Sequence, residues 1–339
     1  MPGLVQETPF KTFAVRELHP TFAAEIEGVD FGNLSDEQLT EVKDAMAKYG
    51  VCVFRDTGLT DDSHVEFSRK LGDLDDIRRY LGPGRKMRYT HVELFDAGNL
   101  DADSNLIDPD SPRAHSNKGN GLFHVDSSFN PRRASYSLLR GVELPPPEAG
   151  GNTDFADSRA AWDDLPEELK TELLEKNYLG AHCMAHSRKQ GSPEYFADLD
   201  PSTAPMSYHR IAQLHEPSGR MNLYVGAHLH HIEGVSAEKS AALIEALNNH
   251  TRQQKYIISV SWHNPGDMII WDNRAVLHRA GEFRGRYKRD MRRTTVHDDG
   301  SYAWGENSVG TRMPGNESWT KPQLVQQMSG PTHTTMASN

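Results

Sequence analysis

Apolar positions in this chain fall mostly into short runs separated by turns, and only a few stretches carry the spacing of an amphipathic helix. Residues 23–31 alternate weakly and stop at Gly32-Asn33. Leu39, Val42 and Met46 then share a helical face that opens after Ser35, with Gln38 at the capping-box position, and closes at Gly50. Residues 51–54 form a continuous apolar run, as in a buried strand, and a second helix follows Thr60 through His64, Phe67 and Leu71 to Gly72. Further strands are predicted over 87–95, 121–129, 135–144, 222–225, 256–262, 268–271 and 291–296, and a turn at 150–152 leads into 153–155. Helices are predicted over 158–176, with Pro166 opening the second half, and over 237–253. The stretches 96–119 and 180–219 are polar and poorly periodic. Short strands between turns, with helices concentrated early and mid-chain, imply a mainly β fold with flanking helices, its core a barrel or jelly roll.

Composition narrows the class. A chain of 339 residues can bury a large core, and the reading is one domain over 1–299 followed by a polar C-terminal extension, 300–339, in which Trp304 and Trp319 are isolated anchors. Within the domain, 73–120 reads as a lid or binding loop, because a long irregular segment beside a site usually serves it. The formal charge of −11 argues against nucleic acid or an anionic membrane as the main partner, and no apolar run reaches the length of a membrane span. Two distant cysteines, Cys52 and Cys183, form neither a disulfide framework nor a thiolate metal site, which fits a cytoplasmic protein. Self-association into a homo-oligomer is left open.

The chemistry concentrates in residues 121–129, GLFHVDSSF. On a strand, His124 and Asp126 point to one face, which supplies two of the three ligands of a 2-His-1-carboxylate iron site. A hydrogen-bonded His–Asp pair is the plainer alternative for that dipeptide spacing alone. His278, 152 positions beyond Asp126 and following the strand 268–271, offers the third ligand from a distant part of the chain. Arg289 and Arg293 share parity on the approach to and within the last strand, so both can face inward. Two inward guanidiniums are costly without anions, and their planar donors suit carboxylates, so a metal with two bound acids is implied. The run His228-Leu229-His230-His231 lacks a complete coordination set for a second metal, and one or two of its histidines are placed at the pocket rim. His182 and His186 could share a helix face, with core packing the reading their neighbours Cys183, Met184 and Ala185 favour.

The segments GLFHVDSSF, PPEAGGNTDFADSRAAW, GDMIIWDNRAVLHRAGEF and RDMRRTTV resemble the TauD/TfdA family of Fe(II)/2-oxoglutarate-dependent dioxygenases, and within it the 2,4-dichlorophenoxyacetate dioxygenase branch. The resemblance spans about 23–299 and is poor over 80–120. It implies a double-stranded β-helix (jelly-roll, cupin-like) core, with His124, Asp126 and His278 on iron, Thr153 and Arg289 on 2-oxoglutarate, and Arg293 on the acid group of a small substrate. It also implies O₂ as co-substrate, release of succinate and CO₂, and oxidation of a C–H bond of an aryloxyalkanoate-like carboxylic acid. An amino acid or sulfonate, with hydroxylation, desaturation or ring closure, stays open as an alternative. A non-redox metallohydrolase or a binding protein on the same scaffold represents the other classes. Trp271, Asp272 and Asn273 are expected to support the distal histidine, and Tyr80, His91 and Asn117 lie where substrate-contacting segments begin.

Overall fold

The computed structural model describes residues 10–81 and 86–312; Trp319 and most of the extension lie outside the described residues. The frame is a seven-stranded sheet in the order Ala14–Glu17, Ala24–Glu27, Val51–Phe54, Met268–Asp272, Ala134–Glu143, Asp290–His297, Phe95–Asp96. Only the pairing of Ala24–Glu27 with Val51–Phe54 is parallel. A three-stranded antiparallel sheet, Ile257–Val260, Thr153–Asp157 and Val276–Ala280, faces it.

Strand alternation explains why the two sheets close on each other. Val51, Val53, Leu139, Ile269 and Trp271 meet Phe155, Val260 and Val276 of the smaller sheet, and Trp262 just beyond it, in one apolar cluster. Their neighbours Cys52, Phe54, Leu138, Met268 and Ile270 point the other way, onto the helices Asp36–Tyr49 and Asp61–Leu71. Burial on both faces is why these strands read as unbroken apolar runs.

Both early helices end where the sequence puts their caps. The Ser35 hydroxyl accepts from the Gln38 amide, and Gly50 takes a left-handed conformation at the C-terminus. The reciprocal half of that capping box does not form, because Gln38 Oε1 accepts instead from the Asp30 amide while Nε2 donates to the Thr12 and Gly28 carbonyls. Thr60 and Ser63 do form a reciprocal box on the second helix.

Four expectations need correction. Residues 121–129 are not a strand: only His124 pairs, and Ser127, at φ +58°, turns the chain away directly after Asp126. Of 87–95 only the last residue is extended, in Phe95–Asp96. The stretch 180–219 contains the strands Ser207–Arg210 and Ala212–His215 and most of a third, Leu179–His182, besides the helix Met184–Gly191. His182 ends that third strand and His186 lies on the helix, so they share no helix face. No helix of the described residues is long and apolar enough to cross a membrane.

Candidate active site

His124 and His278 form a mutual backbone pair: His124 N donates to His278 O at 3.0 Å and His278 N to His124 O at 2.9 Å. Residues directly opposite in an antiparallel pair project to the same face, and the two rings lie 4.2 Å apart between centroids. This single bridge sets His124 beside the edge strand Val276–Ala280 of the smaller sheet. Gly226 closes against the back of this pair, since a Cβ there would stand 3.0 Å from His124 Cα.

Asp126 reaches the same point. Its carboxylate oxygens lie 3.8 Å from His124 Nε2 and 3.5 Å from His278 Nε2. All three ligand atoms fall within 4.8 Å of one another, and all three residues are buried; among the described residues no other group of three has this geometry. His124 Nδ1 sits 2.7 Å from the Leu122 carbonyl, which fixes the proton there and turns the Nε2 lone pair inward. Two neutral imidazoles and one carboxylate on one side of a space suit a 2-His-1-carboxylate metal centre. Burial lowers the proton affinity of both histidines. For Asp126, burial acts upward, but Arg293, His278 and His124 outweigh it and hold the carboxyl well below its usual range.

The support around Asp126 comes from separate strands. Ser137 donates to Oδ2 at 2.8 Å, and the Asn273 side chain accepts from the Asp126 amide at 3.1 Å while donating to Ser137 Oγ at 3.0 Å. The Trp271 indole donates to Asn273 Oδ1 at 3.1 Å, and its ring packs 4.6 Å from that of His278. Asp272 belongs instead to a neighbouring buried network with Arg274 and His215. Ser137 is invisible in the sequence, because a serine inside an apolar strand carries no motif.

The two arginines diverge. Arg293 Nη1 contacts both Asp126 oxygens, at 2.7 and 2.8 Å, and its guanidinium stacks on Phe95 at 4.8 Å. Arg289 is buried beside the Gly150-Gly151 turn: a Cβ on Gly151 would stand 3.1 Å from Arg289 Nη1. Among the described residues no carboxylate pairs with Arg289, and burial pushes its pKa down to about 10. Arg293 lies within the strand Asp290–His297 whereas Arg289 directly precedes it, and the pairing with the neighbouring strand shifts register between Asp290 and Met291. Thr153, two residues beyond Gly151, is buried, and its hydroxyl accepts from the Trp262 indole at 3.1 Å.

A cavity of about 850 Å³ opens on the Asp126 side. Tyr80, Asn117 and His228 line it, whereas His91 pairs with Asp62 and does not. His230 packs against His186 and is outside the cavity lining.

Comparison with known proteins agrees with this geometry. The family described as "Taurine catabolism dioxygenase TauD, TfdA family" matches residues 14–295. An alpha-ketoglutarate-dependent 2,4-dichlorophenoxyacetate dioxygenase of Burkholderia sp. (strain RASC) is 36% identical over 82% of this chain and 92% of its own. An (S)-phenoxypropionate/alpha-ketoglutarate-dioxygenase of Sphingobium herbicidovorans is 29% identical over 85% and 96%. The crystal structure of AAD-2 in complex with Mn(II) and N-oxalylglycine superposes with a TM-score of 0.74 at 31% identity, covering 86% of this chain and 99% of that one. The site and fold define an iron oxygenase that uses 2-oxoglutarate and O₂. The chain belongs to the TauD/TfdA dioxygenase family.

Proposed function

We propose that His124, Asp126 and His278 hold Fe(II), that Thr153 and Arg289 hold 2-oxoglutarate, and that Arg293 receives the acid group of a small aryloxyalkanoate-like substrate. The observation that carries this reading is the buried guanidinium of Arg289, which has no carboxylate partner among the described residues. A metallohydrolase has no use for such a cation, whereas a dicarboxylic co-substrate supplies its missing charge. The facing sheets are read as a double-stranded β-helix, jelly-roll core of one domain over 1–299, with 73–120 as its lid and 300–339 an extension. The cytoplasm, where iron stays reduced and the buried thiols Cys52 and Cys183 stay free, is the compartment that suits this chemistry.

Bound iron and 2-oxoglutarate supply the oxidant: 2-oxoglutarate and O₂ give succinate and CO₂, and the second oxygen atom enters a substrate C–H bond. The side chains set which bond that is. Arg289 fixes the far carboxylate of 2-oxoglutarate, and Phe283, whose ring lies 5.7 Å from the guanidinium, walls that end. Ser137 and Asn273 hold Asp126 in orientation. With a metal taking up the charge of Asp126, the Arg293 guanidinium is free to turn to the substrate acid, and Phe95 limits its swing. For an aryloxyacetate, hydroxylation of the carbon between ether oxygen and carboxylate gives a hemiacetal. Its C–O bond breaks as the hydroxyl proton passes to the leaving oxygen, yielding a phenol and glyoxylate.

The test is succinate formed against product formed, with Fe(II), 2-oxoglutarate and O₂, over a panel of carboxylates, amino acids and sulfonates. An aryloxyalkanoate should raise succinate and give phenol in equal amount, and zinc in place of iron should give neither. No acid-dependent succinate from any member would overturn the reading. In Arg293→Gln, substrate binding should weaken by about 2–5 kcal/mol, as when one partner of a buried charge pair is removed. Slow, uncoupled succinate formation should persist; tightly coupled turnover of the best acid would make Arg293 structural.

A further inference from the structure

The cavity beside Asp126 carries information about substrate size that the metal site does not. His124, Asp126 and Arg293 line its deep end, but His278, Thr153 and Arg289 do not, so the end proposed for the far carboxylate of 2-oxoglutarate lies outside it. A metal and the near end of 2-oxoglutarate would take only part of that deep end, which leaves most of the volume of about 850 Å³ to the substrate. Cavities of roughly 300–1,000 Å³ serve ligands of drug size, and a single-ring acid such as phenoxyacetate would leave most of this one to water.

The outer wall is built rather than frayed. Leu100 and Leu106 form a backbone bridge, and Ser111 caps the short helix Pro112–Asn117. From that helix Arg113 reaches back to the Gly98 carbonyl at 3.2 Å and to the Asp96 carboxylate at 2.9 Å. The strand segment Phe95–Asp96 is itself paired with Arg292 and Arg293, which ties this wall to the strand that carries the acid clamp.

Chemistry along the cavity is graded. At the deep end stands the guanidinium proposed to meet an acid, while Arg88 and Arg113, which also line the cavity, are engaged by Asp96. Ile77, Phe95, Ile107, Phe129 and Met184 supply apolar surface. The exposed margin carries Lys86, Asp103 and Asp108, which offer donors and acceptors of both signs. Resting on the function proposed above, we infer that the substrate is an elongated amphiphilic carboxylic acid of roughly 20–30 non-hydrogen atoms. Its acid meets Arg293, its apolar body spans at least two rings or their equivalent, and its far end is polar and hydrogen-bonding.

The test compares phenoxyacetate, para-phenoxyphenoxyacetate and the same two-ring acid with a terminal hydroxymethyl group, using the Fe(II) enzyme with 2-oxoglutarate and O₂. All three share one reacting carbon, so phenol release measures kcat/KM on a common scale, and succinate formation is followed in parallel. We expect kcat/KM to rise at least about tenfold from the one-ring to the two-ring acid, and again with the polar terminus. Ile107→Trp, which fills the outer cavity, should collapse the ratio of large to small acid toward one; Ile107→Phe gives the same reading in a smaller step if the tryptophan variant does not fold. Equal or better turnover of phenoxyacetate by the wild type would overturn the inference and leave the proposed function standing. Absence of acid-dependent succinate with all three would overturn both.

Discussion

His278→Ala should abolish turnover and lower Mn(II) or Fe(II) affinity by more than about 100-fold, while the protein stays folded. Loss of a mere outer partner of a metal ligand already costs about 10–100-fold, and this substitution removes a ligand outright. The fold should persist because the bonds that pair residues 124 and 278 are backbone bonds, which alanine keeps. What is lost locally is the ring between Trp271 and Phe155, so a cavity cost of about 2–4 kcal/mol and a lower Tm are expected. Manganese titration followed by electron paramagnetic resonance, beside the succinate assay, separates the two effects. A variant that bound Mn(II) within a few-fold of wild type would remove His278 from the metal site.

The cluster of His124, Asp126 and His278 was legible because its members are polar residues in apolar surroundings, and the scaffold was legible where strands are buried on both faces. Val51–Phe54 and Met268–Asp272 have neighbours on either side of the sheet, so their apolar runs are continuous. The caps Ser35, Gly50 and Thr60 were equally readable, since each meets a backbone requirement with a specific side chain or its absence.

What escaped the sequence has physical reasons too. The strand predicted at 121–129 does not form, and the turn at Ser127 is made by a left-handed residue that is neither glycine nor asparagine and so gives no warning. The stretch 180–219 looked irregular because its strands bury polar groups. Ser207, His209, Gln213 and His215 are all buried, and His215 Nε2 lies 3.0 Å from Asp272, which is bound in turn to Arg274. Arg274 and Arg133 both pair with Asp298. A core held together by charge-assisted hydrogen bonds carries no hydrophobic periodicity. The register shift beside Asp290 was likewise hidden, and Arg289 lies just outside the strand that carries Arg293.

That parting underlies the other large effect. Arg289→Ala should raise the KM for 2-oxoglutarate by roughly 30-fold to several thousand-fold, which corresponds to about 2–5 kcal/mol for truncating one member of a buried charge pair. The guanidinium is buried, has no competing carboxylate among the described residues, and faces an aromatic ring and a glycine turn, so no neighbour stands ready to replace it. Arg289→Lys should recover only part of the loss, because an ammonium offers a point charge where a carboxylate wants two parallel donors. Gly151→Ala tests the same pocket from its wall. Its Cβ would press on Arg289 Nη1, and its φ of +87° strains any L side chain, so KM should rise while Mn(II) affinity stays at the wild-type value. Initial rates of succinate formation over a range of 2-oxoglutarate concentrations, with metal affinity measured separately, check all three. If Arg289→Ala and Arg289→Lys both kept the wild-type KM, the co-substrate carboxylate would have to bind another cation, and the unpaired charge of Arg289 would need a different anion.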